Sequence, residues 1–556
     1  MIRRVILPVV LLALPLSLAG QQPRGDGAAA AIQLLAFNDF HGNLEPPTGG
    51  NGRIGQTLAG GAEYLATHLE RAVEQQPHSI IVAAGDLVGA SPLISGLFHD
   101  EPTIDALNAI GLSFSSVGNH EFDRGSAELR RLQRGGCHPV DGCRDGAAFS
   151  GARFQYLAAN VVDAATHQTL FPATAVKTID GVKIGFIGET LKGTPLIVSP
   201  AGVKGLTFLD EASTANKYAR QLRQQGVRTL VLLIHQGGQQ GVPQEEADPN
   251  GCVSFGGAIA TIARKLVPEL KVIVSGHTHR AYNCSIGGHL VTSAASFGRV
   301  ITRVSLVIDR ATGVATRASA INEIVTRDVA KDPSQTKITV KYGGLAAPIA
   351  KRIAGAVTGG IARGQNRAGE SALGDVVADA HLASAQTGSG GADVAFMNNS
   401  GIRADLVVSG GGTPGRSSPV SYGELYDVQP FGNTLTTLTM TGDMIRRLLE
   451  QQFARPDVAD VLQVSAGFSY RYKLTAPAGR HVDPDSITID GRKIGASDPV
   501  RIVANDFLVN GGLGFTVFAE GTGRGGGELD VDAFAAYFKN RSPVSPGPQN
   551  RIIRTD

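Results

Sequence analysis

The sequence has no tryptophan, only four cysteines and four methionines in 556 residues, and almost no net charge. Its 51 Lys and Arg residues nearly balance 49 Asp and Glu, which gives +2 at pH 7. This balance argues against a nucleic acid polymer or an anionic membrane as a bulk partner, so any anion site must be local. A hydrophobic content of 42% is that of a globular protein, and the length predicts two or three domains.

No apolar run reaches the roughly 20 residues that a membrane-spanning helix needs. Residues 1–20 instead predict a secretory signal peptide, because two arginines precede an apolar run from Val5 to Leu18 and small residues follow. Pro8 and Pro15 interrupt that run, and Gln21 stands where a lipoprotein signal has cysteine. We therefore expect an exported protein, periplasmic or secreted, that is a monomer or a weak dimer.

The cysteines are Cys137, Cys143, Cys252 and Cys284. A small, even number in an exported chain favours two disulfides. Proximity in sequence favours the pairs Cys137–Cys143 and Cys252–Cys284, although three connectivities are possible. His138 beside Cys137 leaves a zinc site as the alternative, but the spacing is not that of a zinc finger.

The chain divides into regions with different patterns. Residues 30–328 alternate apolar strands with amphipathic helical stretches, which is typical of a layered α/β domain. Residues 329–355 lose the strand pattern and predict a helical interdomain linker. Residues 356–556 predict a smaller α+β domain with glycine-rich turns.

Five predicted strands of the first domain each end in Asp, Asn or His. Because ligands bind at the carboxyl ends of strands in α/β sheets, we expect these side chains to converge. Any one of them alone is more often a polar turn, but that interpretation does not explain five coincidences. Oxygen and imidazole ligands without sulfur suit a divalent metal such as zinc or manganese, in a two-metal centre. The metal-binding candidates are Asp39, His41, Asp86, Asn119, His235, His277 and His279.

The motifs FNDFHG, GD, GNHEFD and GHTH, with a His after an apolar strand, resemble the calcineurin-like metallophosphoesterase signature. GNHEFD in particular is similar to the secreted 5'-nucleotidase/UDP-sugar hydrolase family. The resemblance implies a four-layer α/β sandwich with two divalent metal ions. It assigns one metal to Asp39, His41, Asp86 and His279, and the other to Asp86, Asn119, His235 and His277, with Asp86 bridging.

The same resemblance implies roles for the residues between the ligands. His120 would be the catalytic cation that stabilises the transition state, oriented by Asp123 three residues later. Glu121 has no implied role, and we expect it to be solvated or structural.

The second domain resembles the nucleotide-binding domain of that family. RGQNRAGESALGDVVADA and NNSGIRAD match stretches that carry phosphate- or carboxylate-binding arginines, and two phenylalanines match the pair that stacks on the base. A lone Arg is otherwise a surface charge, and a lone Phe is usually core. The implied substrate-binding residues are Arg363, Arg367, Asn398, Arg403, Phe431, Asn433 and Phe507.

One position departs from the family pattern. The loop NGGLGF has Leu513 where the family has an Asp that accepts hydrogen bonds from the ribose. Leucine cannot accept a hydrogen bond, so the resemblance does not extend to this contact with the sugar.

The expected function is metal-dependent hydrolysis of nucleoside 5'-monophosphates, with UDP-sugars or cyclic nucleotides as further substrates. An alternative motivated by Leu513 is a two-metal hydrolase of a non-nucleotide phosphate or sulfur ester. A second alternative is a non-catalytic surface binding protein, which the full set of metal-binding residues disfavours.

Overall fold

The computed structural model describes residues 27–244, 246–388, 391–407, 417–455 and 459–556. The predicted signal peptide, residues 1–20, lies outside the described residues. Within those ranges, no helix has both the length and the apolar character needed to cross a membrane.

The first domain alternates strands and helices, as its sequence pattern predicts. Its strands are β1 (Ala29–Phe37), β2 (Arg53–Ile54), β3 (Thr57–Leu58), β4 (Ser79–Ala84), β5 (Phe114–Ser116), β6 (Gln155–Leu157), β7 (Val161–Asp163), β8 (Thr174–Ile179), β9 (Val182–Thr190), β10 (Leu206–Phe208), β11 (Thr229–His235), β12 (Leu270–Ser275), β13 (Ala281–Ile286), β14 (His289–Ala294), β15 (Val300–Asp309) and β16 (Ala315–Ile324). Its helices are α1 (Ala62–Gln75), α2 (Leu93–Gly96), α3 (Glu101–Ala109), α4 (Gly125–Arg134), α5 (Thr194–Ile197), α6 (Glu211–Gln224) and α7 (Ala258–Ala263), with 3-10 turns at Gly49–Gly52 and His120–Phe122.

Two six-stranded sheets form the centre of this domain, with orders β16-β15-β1-β4-β5-β6 and β13-β14-β12-β11-β9-β8. Successive side chains of a strand point to opposite faces, so each central strand supplies two apolar layers. Leu34 of β1 and Val231 of β11 lie in the core between the sheets. Leu35 packs under the first-sheet helices, and Leu232 packs under α6 and α7. This confirms the predicted four-layer sandwich.

The central strands that carry the polar ends are parallel. Strand β1 pairs with β4, β4 pairs with β5, and β11 pairs with β12, all in parallel. Their carboxyl ends therefore open on one side of the sandwich, where α/β proteins bind ligands.

A single helix connects the two domains. Helix α8 (Pro333–Ala350) begins at Asp332, whose carboxylate accepts a hydrogen bond from the Gln335 backbone N–H at 2.8 Å. Tyr342 and Ala346 are buried in the core beneath the helices of the first sheet. The linker helix is thus packed against the first domain along its length.

The second domain is built on a five-stranded sheet of order β21-β18-β25-β20-β26. Its strands are β17 (Ile353–Val357), β18 (Val394–Asn398), β19 (Ser418–Ser421), β20 (Thr434–Thr441), β21 (Leu462–Val464), β22 (Phe468–Tyr472), β23 (Thr488–Ile489), β24 (Arg492–Lys493), β25 (Pro499–Asn505), β26 (Thr522–Leu529) and β27 (Ile552–Arg554). Its helices are α9 (Ala372–Thr387), α10 (Tyr422–Val428), α11 (Gly442–Gln451), α12 (Asp506–Val509) and α13 (Asp530–Arg541), with 3-10 turns at Asn399–Gly401, Pro484–Ser486, Gly512–Gly514 and Thr516–Glu520.

Both faces of that sheet are covered. Val503 of β25 packs with α9 and α13, and its neighbour Ile502 packs on the opposite face with α11. A smaller sheet of order β24-β23-β22-β27 adds Tyr470 to the second of these cores. The domain is α+β, as expected.

The two favoured disulfides form, Cys137–Cys143 and Cys252–Cys284. Cys137–Cys143 closes a six-residue separation after α4, and Cys252–Cys284 joins the loop before α7 to strand β13. Because all four sulfurs are used in these bonds, the alternative of a zinc site at Cys137 is wrong.

Candidate metal centre and substrate cleft

The strand ends bring all seven predicted metal-binding residues to one place. Several of them have backbone conformations that side chains rarely adopt. The φ angles of Asp39, His41, Asp86, His277 and His279 are +50°, +46°, +49°, +73° and +57°. Left-handed conformations at non-glycine residues cost of order 1–3 kcal/mol each and cluster at functional sites. The turns after β1, β4 and β12 are therefore strained where their side chains converge.

One group of potential ligands consists of Asp39, His41 and His279. The His279 Nε2 atom lies 3.2 Å from Asp39 Oδ1 and 3.2 Å from His41 Nε2. His41 Nε2 is also 3.7 Å from Asp86 Oδ2. Asp39, His41 and Asp86 are almost completely buried.

A second group shares Asp86 with the first. His235 Nε2 lies 2.9 Å from Asp86 Oδ2, and His277 Nδ1 lies 3.0 Å from Asn119 Oδ1. Ligand atoms of Asp86, His235 and His277 all fall within 4.8 Å of one another. Asp86 therefore stands between the two groups, where a bridging carboxylate would be needed.

The hydrogen bonds of the imidazoles fit metal binding. His41 Nδ1 donates to the Gly89 carbonyl at 2.8 Å, and His235 Nδ1 donates to the Ala84 carbonyl at 2.7 Å. A carbonyl oxygen only accepts, so in the neutral rings the free lone pair is on Nε2, which faces the carboxylates. The buried His235 Nε2 faces Asp86 Oδ2 at 2.9 Å. These residues suit two divalent ions such as zinc or manganese.

The electrostatics of the cluster favour a cation. Burial disfavours protonation of His235, but the carboxylates of Asp86 and Asp39 outweigh it and raise its pKa to about 10. Burial and then His235 lower the pKa of His277 to about 4. The carboxylates thus attract positive charge, while His277 stays neutral and available as a ligand.

Glu121 is structural, and the expectation that it could be solvated is wrong. Its side chain is buried and accepts hydrogen bonds from the backbone N–H groups of Asp86 at 2.9 Å, Leu87 at 2.8 Å and Gly118 at 2.6 Å. Burial and then the Asp86 carboxylate raise its pKa to about 7, against the Gly118 hydrogen bond. Glu121 ties the turn after β4 to the turn after β5.

His120 and Asp123 form the expected pair. His120 Nδ1 lies 2.8 Å from Asp123 Oδ2, and the His120 backbone N–H donates to Asp86 Oδ1 at 2.8 Å. Burial disfavours the imidazolium, but the carboxylates of Asp123 and Asp86 outweigh it and raise the pKa of His120 above its usual value. The ring is partly exposed to a cavity between the domains.

That cavity, of about 260 Å³, joins the metal-binding residues to most of the predicted substrate-binding residues. We call it the aromatic cleft. Its first-domain wall includes Asn119, His120 and His277. Its second-domain wall carries the five predicted residues Asn398, Arg403, Phe431, Asn433 and Phe507, together with Leu513.

The polar residues of the second-domain wall are held in place. Asn398 accepts a hydrogen bond from Asn505 at 3.0 Å, and Asn433 donates to Asp530 at 3.2 Å. The Arg403 guanidinium lies 5.8 Å from the centroid of Phe431, within reach of a cation–π interaction.

The side chains of the two arginines in the RGQNR stretch lie in different places. Arg363 lies beside the cleft and donates to the Ile402 carbonyl and to Asn51, both at 3.3 Å. Arg367 is not among the described residues that line the aromatic cleft, and its substrate-binding role stays a prediction. A tight turn, in which the Asn366 backbone N–H donates to the Glu370 carbonyl, points Arg367 outward. Arg367 is exposed and donates to the main-chain oxygen of Asp556.

Two residues that sequence reasoning missed also line the aromatic cleft. Arg455 and Asp460 form an ion pair there, in the same cavity as Leu513. They lie in a loop after α11 that carries no recognisable motif, so no signal in the sequence could have identified them.

Comparisons with known proteins agree with this geometry. Residues 32–281 match the calcineurin-like phosphoesterase model, and residues 351–520 match the 5'-nucleotidase C-terminal domain model. The chain is similar to the cell wall protein Lmo0130 of Listeria monocytogenes, with 32% identity over 92% of this chain and 67% of the relative. It is also similar to endonuclease YhcR of Bacillus subtilis, with 31% identity over 94% of this chain. The chain spans only 41% of the length of YhcR.

Among solved structures, the crystal structure of a 5'-nucleotidase precursor from Thermus thermophilus superposes with a TM-score of 0.76. It is 25% identical and covers 95% of this chain and 100% of its own. The arrangement of both domains is therefore shared along the described chain.

Proposed function

Because the chain belongs to the family that joins a calcineurin-like phosphoesterase domain to a 5'-nucleotidase C-terminal domain, and is a phosphoesterase, we propose that it hydrolyses nucleoside 5'-monophosphates. The observation that carries this proposal is the aromatic cleft, where the metal-binding cluster and the Phe431–Phe507 pair open into one cavity. A base stacked between the rings would be connected through its sugar to a phosphate at the cluster.

The seven clustered residues would hold two divalent ions, which supply Lewis acidity and an acidified water molecule when bound. Asp86 would contribute to both sites. Glu121 would hold the backbone around Asp86 through its three hydrogen bonds. These roles use carboxylate and imidazole chemistry that suits zinc or manganese alike.

His120 and Arg403 would act on the charge of the phosphate. The carboxylate of Asp123 orients the His120 ring and favours its positive form, which faces the cleft. A fixed cation next to the developing negative charge stabilises the transition state more than the ground state. Arg403 would donate paired hydrogen bonds to phosphate oxygens.

Phe431 and Phe507 would hold the base by stacking, with Asn433 at its edge. Stacking is worth about 1–3 kcal/mol per base and tolerates any base. Leu513 lines the same cavity and offers no acceptor to a sugar hydroxyl. This favours a second candidate, in which the two-metal centre acts on a phosphate ester without a ribose, or on a sulfur ester.

A panel of substrates with purified protein tests the proposal. AMP, dAMP, UDP-glucose, cyclic AMP and an aryl phosphate should be compared with and without a chelator. We expect chelator-sensitive phosphate release from AMP and dAMP at similar rates, because Leu513 cannot form a hydrogen bond to the 2'-hydroxyl. Phosphate release from the aryl phosphate alone would contradict the proposed nucleotidase activity and support the second candidate. No release from any substrate would favour the non-catalytic binding protein.

The boundaries of the domains and the location of the protein belong to the same proposal. We propose a first domain at 30–328, a linker at 329–355 and a second domain at 356–556, in a chain exported to the periplasm or medium. The two disulfides support export, because such bonds persist in oxidising compartments. Sedimentation of the purified protein would test the expected monomer or weak dimer.

A further inference from the structure

A second cavity, of about 590 Å³, borders the metal-binding cluster at His279. We call it the distal cavity. The loops after β1, β11, β12 and β14 and two stretches of the second domain, at Arg363 and Asp405, form its walls. Its lining includes Asn51, Arg53, Gln240, Arg299, Arg363 and Asp405.

No described residue lines both the distal cavity and the aromatic cleft, and each cavity is lined by different residues of the metal-binding cluster. His279 lines the distal cavity, whereas Asn119 and His277 line the aromatic cleft. His279 Nε2 is nevertheless only 3.2 Å from Asp39 Oδ1, within the same cluster. A phosphoryl group held at the cluster would therefore have one cavity beside His277 and another beside His279.

The lining of the distal cavity is cationic. Arg53, Arg299 and Arg363 are among its lining residues, and Asp405 supplies the only carboxylate among the described ones. Asp405 accepts a hydrogen bond from the backbone N–H of Arg363 at 2.8 Å. Among the described lining residues, several positive charges thus face one negative charge.

These arginines are held by neutral groups. Arg299 is 4% exposed, and its guanidinium donates to the carbonyls of Ser296 and Arg53 and to the Ser296 hydroxyl at 2.6–3.0 Å. Arg363 donates to the Ile402 carbonyl and the Asn51 amide oxygen. Burial and then the charge of Arg363 lower the pKa of Arg299 to about 10. A buried cation without a carboxylate partner favours binding of an anion.

We propose that the distal cavity binds an anionic group attached to the reacting phosphoryl, opposite the nucleoside. This inference rests on the proposed function and narrows the substrates to nucleoside diphosphate esters. The substituent on the far side of the reacting phosphoryl would carry a carboxylate or phosphate. Hydrolysis of such an ester consumes one water molecule. A new P–O bond forms, one P–O bond of the anhydride breaks, and the leaving oxygen and the solvent share the two protons of the water.

UDP-glucose and UDP-glucuronate are a matched pair of probes, because they differ only in a hydroxymethyl group and a carboxylate. With the full-length mature protein and saturating metal, we expect a KM about tenfold lower for UDP-glucuronate, which corresponds to ~1.4 kcal/mol. The kcat values should be similar. Equal KM values for the two esters would overturn the subsite.

Variants at Arg53 test whether the preference for UDP-glucuronate over UDP-glucose arises in the distal cavity. Arg53 is exposed in the short hairpin of β2 and β3, so its replacement should not disturb the core. Arg53→Gln should bring the two KM values within about twofold, and Arg53→Lys should keep most of the preference. Arg480→Gln, an exposed arginine of the second domain, is the matched control and should keep the full preference.

UMP separates this inference from the proposed function, since it carries no far substituent. Arg53→Gln should leave the KM for UMP unchanged. An equal loss for UMP and UDP-glucuronate would overturn the subsite, because the effect would not concern the far group. If the wild-type protein cleaves both UDP esters with the expected preference but not UMP, the subsite stands and the proposed nucleotidase activity fails.

Discussion

The imidazole of His120 and the ring of Phe431 stack across the domain boundary, with their centroids 5.7 Å apart and their planes at 26°. His120 follows strand β5 of the first domain, and Phe431 precedes strand β20 of the second. The residue proposed to stabilise the transition state thus touches a residue proposed to hold the base. The domains are in contact at the place where the chemistry would occur, and the aromatic cleft exists only because they meet.

This contact predicts different effects for the two phenylalanines. Phe507→Ala should raise the KM for AMP by about tenfold to a hundredfold, since a stacked base contributes ~1–3 kcal/mol, with little change in kcat. Phe431→Ala should raise KM similarly and also lower kcat, because it removes the surface against which His120 rests. Steady-state kinetics on AMP check this. The aryl phosphate is the control for Phe507→Ala, which should not affect it, and an equal loss on both substrates would contradict the stacking role.

Replacement of His120 should separate catalysis from metal binding. His120→Ala should lower kcat by about a hundredfold to a thousandfold, which is the usual loss when one transition-state contact is removed. Metal content measured by atomic emission should stay at the wild-type value, because the seven proposed ligands are other side chains, although His120 also lies within ligand distance of His41 and Asp86. Loss of a metal ion would instead show that His120 is a ligand.

Metal content should depend on the cluster residues in a graded way. Asp86→Ala should remove both metal ions, because its carboxylate stands between the two groups, whereas His279→Ala should remove one. Both should lose chelator-sensitive activity. His167→Ala, at an exposed turn, is the control and should keep both ions. A full complement of metal in Asp86→Ala would rule out the bridging role.

The buried Glu121 has no proposed catalytic role, but it should contribute strongly to the free energy of unfolding. Glu121→Ala leaves three buried backbone N–H groups without acceptors and should lower the free energy of unfolding by at least ~3 kcal/mol. Glu121→Gln keeps one acceptor oxygen and should lose less. Urea unfolding measures both, with Glu70→Ala on the exposed side of α1 as control. Wild-type stability of Glu121→Ala would refute the structural role.

The two disulfides should contribute unequally. Cross-linking restricts the unfolded chain more when the closed loop is longer, and the sequence separations are 32 for Cys252–Cys284 and 6 for Cys137–Cys143. Replacing Cys252 and Cys284 by Ser should therefore cost about 3–4 kcal/mol, and the Cys137/Cys143 double replacement clearly less. Thermal unfolding of the two double variants gives the comparison directly, and the reverse order would be inconsistent with this account.

Much of the fold and the cluster followed from the sequence, and the reason is geometric. Parallel strands end at the same edge of a sheet, so polar residues that follow β1, β4, β5, β11 and β12 must come together whatever the loops between them do. The alternation of Leu34 and Leu35 likewise determined which face of β1 meets the second sheet and which meets helices. The disulfide pairs followed from short separations along the chain.

Other features depended on contacts that no local pattern encodes. Arg363 and Arg367 lie four residues apart in one motif, yet a tight turn leaves only Arg363 beside the cleft. Glu121 looks like any acidic residue until the turns after β4 and β5 surround it with N–H groups. The distal cavity arises where loops distant in sequence meet. The sequence by itself determined which strands would carry the chemistry, because strand pattern is local. Only the tertiary structure decided which side chains face the reacting group, because that depends on how turns and domains pack in three dimensions.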